Sequence, residues 1–191
     1  MAPLATALYG NHIEGAVAGT NFIDTQKLLS YIAIDDPDLF ARLKDLSCVF
    51  SWSSYFDRTV HKAGPEAIEK ARKANGLASL NTIANIRAIK YPAMTYPMLQ
   101  THPITGKDTL YFDERVVRIV NIPRETDVLI QKELRSYFEL DPIELAKRPY
   151  FYEHKWEPGQ MVLFTNTGTL HCASPGNEGI RTLHRSLVLA S

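Results

Sequence analysis

A C-terminal stretch limits what this chain can fold into more than any other part of it. It reads Trp156-Glu-Pro-Gly-Gln-Met-Val-Leu-Phe-Thr-Asn166, then Gly168-Thr-Leu-His171, then Arg181-Thr-Leu-His-Arg185. A Pro158-Gly159 turn feeds an apolar strand, because proline presets one turn position and glycine supplies positive φ. A polar Asn-Thr-Gly corner follows, and His171 starts the next strand. Arg181 opens a final strand. Successive strand side chains point to opposite faces, so Arg181 and Arg185 share one face and His184 takes the other. Imidazole is a common metal ligand, and a guanidinium fork matches a carboxylate. One histidine and two arginines converging on one region suit a metal ion that holds a small dicarboxylate.

These residues resemble the C-terminal part of the taurine dioxygenase-like (TauD/TfdA) branch of the Fe(II)/2-oxoglutarate-dependent oxygenases. In that family a Trp-x-Pro-Gly-Asp run, an apolar stretch and Trp-Asp-Asn lead to the distal iron-binding histidine. An Arg-x-x-x-Arg pair then clamps 2-oxoglutarate. The resemblance implies His171 as an iron ligand and Arg181 as the bidentate partner of the distal carboxylate of 2-oxoglutarate. It implies Arg185 as a contact to the keto acid or an anionic substrate, with a structural salt bridge as the alternative. Phe164-Thr165 stands where the family usually has Trp-Asp, and Asn166 is retained.

Two further blocks carry the same resemblance. Tyr96 to Tyr111, with His102-Pro-Ile-Thr105-Gly106-Lys107 at its centre, is similar to the family's His-Pro-x-Thr-Gly hairpin. His102 is read there as a structural turn residue. Gly19-Thr20-Asn-Phe22-Ile-Asp24 resembles the segment whose threonine contacts 2-oxoglutarate. This implies that the Thr20 hydroxyl donates to the cosubstrate, the alternative being an ordinary turn threonine. The three blocks occur in family order and span nearly the whole chain.

Non-haem Fe(II) oxygenases hold iron with two histidines and one carboxylate on one face. The family supplies the first two ligands as His-x-Asp, upstream of the Thr20 block. No His-x-Asp occurs in this sequence, and its one His-x-acid triplet is His12-Ile13-Glu14. That triplet reads as a polar turn between strands, or as a substitute ligand pair. The resemblance implies a chain incomplete at its N-terminus relative to the family and expected to hold iron weakly or not at all alone.

At 191 residues, with Lys+Arg and Asp+Glu balanced at 21 each, the chain suits one domain and gives no electrostatic case for nucleic acid or an anionic membrane. No apolar run approaches the roughly 18–20 residues that span a bilayer. Two cysteines, Cys48 and Cys172, lack zinc-like spacing and read as free thiols of a reducing, cytoplasmic compartment. No Gly-x-Ser-x-Gly elbow supports a hydrolase.

The pattern predicts strands at Leu4–Tyr9, Cys48–Trp52, Ile83–Tyr91, Met94–Thr101, Thr109–Phe112, Tyr150–Trp156, Gln160–Thr165, Thr169–Ala173 and Arg181–Leu189. Asp24 and Asp36 read as N-caps of helices, and Ile130, Leu134 and Phe138 share one face of a helix over Thr126–Phe138. Residues 57–81 read as an exposed excursion or lid with a short helix at Glu66–Lys73. His61 and His154 have no partners at informative spacing. Trp52, Tyr55, Phe56, Tyr150 and Tyr152 read as packing residues. Many short strands with turn signals point to a mixed α/β, mainly β fold. The resemblance implies a double-stranded β-helix (jelly roll) with flanking helices, one domain over 1–191. The leading expectation is an Fe(II)/2-oxoglutarate-dependent dioxygenase acting on a small molecule, its oligomeric state open. The alternative is a non-catalytic binding or interaction module that kept the jelly roll and lost iron.

Overall fold

The computed structural model describes residues 4–74, 76, 78–80, 82–83, 90–176 and 178–189. Strands are numbered β1 to β11 along the chain. Contacts divide the chain into two compact units, one of residues 1–44, 99–111 and 130–191, the other of residues 45–98 and 112–129.

The first unit holds two three-stranded antiparallel sheets. In one, β1 (Ala5–Glu14) lies between β9 (Met161–Thr165) and β11 (Ile180–Val188). In the other, β2 (Thr20–Asp24) lies between β8 (Phe151–His154) and β10 (Thr169–Ala173). Leu8, Phe22, Trp156 and Phe164 form a buried cluster that joins the sheets, with Ile13, Val17, Val162 and Leu183 packed on it. Phe22 of one sheet meets Phe164 of the other at 5.2 Å between ring centroids, edge to face. Burying each such side chain is worth roughly 1.5–3 kcal/mol.

Local chemistry sets the approach to this core. The Asp24 carboxylate accepts from the Gln26 and Lys27 backbone N–H groups, both at 3.0 Å, and starts the helix Thr25–Asp35. That helix buries Leu28, Leu29 and Ile32. Asp36 caps Pro37–Leu43 in the same way through Leu39 N–H. β5 (Leu99–Thr101) and β6 (Asp108–Leu110) form a hairpin whose turn is held by His102. The His102 Nδ1 accepts from Ile104 and Thr105 N–H, so its Nε2 carries the proton and donates to Thr165 Oγ1 at 3.0 Å. Gly168 permits this close packing, since a Cβ there would stand 3.1 Å from the His102 ring.

In the second unit, β3 (Ser47–Phe50) pairs with β4 (Met94–Pro97) and β7 (Val116–Ile119). Pro97 ends an edge strand, where a missing N–H costs nothing. The buried Asp127 carboxylate accepts from Ile119 N–H and from Arg124, both at 2.9 Å.

Several sequence expectations need correction. Trp52 is not extended: it opens a helix, Trp52–Ala63, capped by Ser51. The short helix expected at Glu66–Lys73 is present as Pro65–Ala74. His12 and Glu14 do not form a turn, because β1 runs on through Glu14 across a register shift between Gly10 and His12. Thr20 is not a turn threonine but the first residue of β2. The helix expected over Thr126–Phe138 runs over Arg124–Arg135. A short helix at Pro142–Ala146 follows its Asp141 cap, where only proline punctuation was expected. Most of the strand expected at Ile83–Tyr91 lies outside the described residues.

Candidate functional site

The inner faces of the two sheets carry the candidate residues. On β2, Thr20 and Phe22 point the same way, toward Phe164. His171 is the cross-strand partner of Phe22 and lies on that face, its ring 6.2 Å from Phe22 and 4.7 Å from Phe164. His171 is solvent-exposed.

Arg181 comes from the other sheet. It pairs with Ile13, and Arg185 pairs with Leu8. Arg181, Leu183 and Arg185 share a face by strand period, and Leu183 packs on the joining cluster, so that face is the inner one. His184 pairs with Tyr9 on the outer face. The Arg181 Nη1 donates to the Ala18 carbonyl and to the Gly19 carbonyl, the latter at 2.6 Å. This brings its guanidinium to the residue immediately before Thr20. A guanidinium has five N–H donors, so Nε and Nη2 remain to meet a carboxylate.

Thr20 is buried, and its Oγ1 accepts from the indole Nε1 of Trp156 at 2.9 Å. The β9–β10 corner that leads to His171 is fixed by Asn166. Its backbone N–H donates to the Leu4 carbonyl and its side-chain oxygen accepts from Thr6 at 2.9 Å.

A profile of the "Taurine catabolism dioxygenase TauD, TfdA family" matches residues 3–187. The chain belongs to the TauD/TfdA family. Among relatives, it is 27% identical over 171 residues to the (S)-phenoxypropionate/alpha-ketoglutarate-dioxygenase of Sphingobium herbicidovorans, covering 88% of this chain and 51% of that protein. It is 34% identical over 97 residues to the alpha-ketoglutarate-dependent xanthine dioxygenase of Emericella nidulans, 50% of this chain and 26% of that one. Among solved structures, a taurine dioxygenase from Burkholderia xenovorans superposes with a TM-score of 0.65 at 20% identity, over 99% of this chain and 53% of that one. AAD-2, solved with Mn(II) and N-oxalylglycine, gives a TM-score of 0.65 at 19% identity, over 97% and 63%. The chain thus spans about half the length of the S. herbicidovorans relative.

TauD/TfdA membership implies Fe(II) and 2-oxoglutarate, and the residues fit the two unequally. Among the described residues no three His, Cys, Asp or Glu side chains group closely enough to hold a metal ion. His12 and Glu14 pair with each other at 3.3 Å, both largely exposed. They flank Ile13, whose side chain packs on the inner cluster, so they point away from the His171 face. The donors among the described residues do not by themselves satisfy a non-haem iron ion. A carboxylate fits better: a guanidinium, a threonine hydroxyl and an inner face walled by Phe22, Phe164 and Trp156 meet at one corner.

His154, which has no partner at informative spacing in the sequence, has partners in the fold. It pairs with Thr20 in the ladder, its ring meets Trp156 edge to face at 4.5 Å, and its Nδ1 bonds to the Tyr152 hydroxyl at 3.1 Å. Only the alternation of Tyr152, His154 and Trp156, within the strand the sequence predicts over Tyr150–Trp156, pointed to it; β8 itself ends at His154. Among the described residues no helix is long and apolar enough to cross a membrane.

Proposed function

We propose that this chain is the distal-histidine and keto-acid-binding portion of an Fe(II)/2-oxoglutarate-dependent dioxygenase that acts on a small molecule. The two joined sheets are read as part of a double-stranded β-helix. The observation that carries the proposal is the Arg181–Gly19 contact. It sets a guanidinium beside Thr20 on the inner side, and His171 lies on the Thr20 face of β2. In this reading Arg181 holds the distal carboxylate of 2-oxoglutarate through a bidentate charge-assisted pair. Thr20 donates its hydroxyl to the same group. His171 offers one imidazole nitrogen to iron, which when bound supplies the oxidising chemistry. Arg185, exposed on the same face, meets the keto acid or an anionic substrate. The phenoxypropionate and xanthine dioxygenases among the relatives favour a small organic substrate.

A second reading is an interaction module without iron chemistry. The outward, largely exposed His12–Glu14 pair, the one His-x-acid triplet of the chain, favours it. Anaerobic titration of Fe(II) in the presence of 2-oxoglutarate separates the two. A metal-to-ligand charge-transfer band that is lost in His171→Ala supports the oxygenase reading. A folded chain with no band at any iron concentration supports the module.

A further inference from the structure

Thr20 and His154 are cross-strand partners on the inner face; Thr20 Oγ1 is used only as an acceptor, and His154 has a polar atom without a partner among the described residues. The indole N–H of Trp156 is a donor only, so at 2.9 Å the Thr20 oxygen must accept from it. The hydroxyl proton of Thr20 is then turned away from Trp156. No acceptor for it occurs among the described residues. The Nε2 of His154 is buried and also has no hydrogen-bond partner among the described residues. Nearly all buried polar side-chain atoms in native proteins are paired, so the unpartnered Nε2 of His154, on the ladder partner of Thr20, needs an explanation. The Tyr152 hydroxyl lies 3.1 Å from Nδ1 and can donate or accept there; in the tautomer where it donates, the proton sits on Nε2. In that tautomer the Thr20 hydroxyl and the His154 Nε2–H are two donors without a protein acceptor among the described residues, one residue from the Gly19 carbonyl that Arg181 meets.

We propose that His154 is a further ligand contact of this site, its Nε2–H donating to the same carboxylate oxygen that Thr20 meets. The proposal rests on the reading that Arg181 holds the carboxylate of a keto acid. A carboxylate has about four lone-pair positions and takes a guanidinium, a hydroxyl and an imidazole N–H together. Shielding from water strengthens each bond. Binding adds a charge-assisted pair through Nε and Nη2 of Arg181 while Nη1 stays on the two carbonyls. Gly19 is what lets the corner close. A Cβ there would stand 2.6 Å from the His154 carbonyl oxygen, so β2 and β8 approach as they do only with glycine.

The test is 2-oxoglutarate affinity of the metal-free 191-residue chain, read by calorimetry and by the imidazole 15N signals of His154. His154→Phe keeps the ring packing and removes the donor. His154→Gln returns an N–H near the Nε2 position. Expected results are an affinity loss of about tenfold in His154→Phe and recovery to within about threefold in His154→Gln. In wild type, the His154 Nε2 resonance should shift on titration. The His154→Phe and Thr20→Val losses should be non-additive, as for groups sharing one oxygen. Wild-type affinity in His154→Phe with an unmoved Nε2 signal overturns the proposal, while loss in Arg181→Ala shows that the keto-acid reading survives. No 2-oxoglutarate binding in wild type overturns both. The 15N measurement needs no variant and decides the matter if His154→Phe fails to fold.

Discussion

Arg181 and Gly19 are joined by a hydrogen bond of 2.6 Å from guanidinium to backbone carbonyl, although 162 positions separate them. The bond ties the last strand of one sheet to the residue before the first strand of the other. Arg181 is therefore a structural clasp and the candidate anion-binding group at once. Arg181→Ala is expected to cost about 1–3 kcal/mol of stability through the loss of its bonds to the Ala18 and Gly19 carbonyls. Arg181→Lys should recover part of that, because lysine reaches but lacks the fork. Urea denaturation of the two variants checks the order.

Thr165 receives the proton of His102 Nε2, while His102 Nδ1 is committed to two backbone N–H groups. Thr165→Val should leave a buried donor unpaired and cost about 1–3 kcal/mol. Thr165→Asp places the residue usual in the TauD/TfdA family at this position, and a carboxylate acceptor should match or exceed wild type. Thermal melts of the pair decide it. Equal melting of wild type and Thr165→Val would show that the bond is not formed.

Gly19→Ala should be costlier than an ordinary surface change. Its Cβ meets a backbone oxygen rather than a movable side chain. A loss of about 1–3 kcal/mol is expected from overpacking, together with weaker dicarboxylate binding. Calorimetry on the folded fraction measures both.

The two thiols should behave oppositely. Burial pushes the Cys48 thiol up from 9.0 to about 12, with the carboxylates of Asp113 and Asp127 acting in the same direction. Cys172 is exposed. A disulfide reagent at pH 8 should label Cys172 readily and Cys48 only after unfolding, because the thiolate is the reactive form. The sign for stability follows from the raised value. The folded state holds the Cys48 proton more tightly than the unfolded chain. This contribution is complete below pH 9 and is lost as pH rises toward 12, by up to about 1.4 kcal/mol per pH unit. Melting temperature against pH should fall less steeply in Cys48→Ala than in wild type over that window.

Strands with turn residues at their ends were legible in the sequence. β9, β10 and β11 follow from Pro158-Gly159, the Asn166–Gly168 corner and the alternation that puts Arg181 and Arg185 together. Helix caps at Asp24 and Asp36 were legible for the same local reason. The helix Trp52–Ala63 was not, because its aromatic opening resembles the end of the preceding strand and its Ser51 cap is an unremarkable residue. β2 was hidden because a strand of 5 residues next to an N-cap shows little alternation. His12 and Glu14 resembled a ligand pair by spacing alone, and strand parity about Ile13 turns them outward. The link from Trp156 to Thr20 spans 136 positions, so no local pattern carried it. His154 shares that limitation: its meaning lies in its ladder partner, not in its neighbours.

The central claim is that the corner of Arg181 and Thr20 takes a dicarboxylate whether or not iron is held. Ligand-detected saturation-transfer NMR of 2-oxoglutarate with the metal-free chain tests it most directly. Contact in wild type, its loss in Arg181→Ala and its retention in His171→Ala are the predicted results. No contact in wild type, or equal contact in Arg181→Ala, would contradict the account.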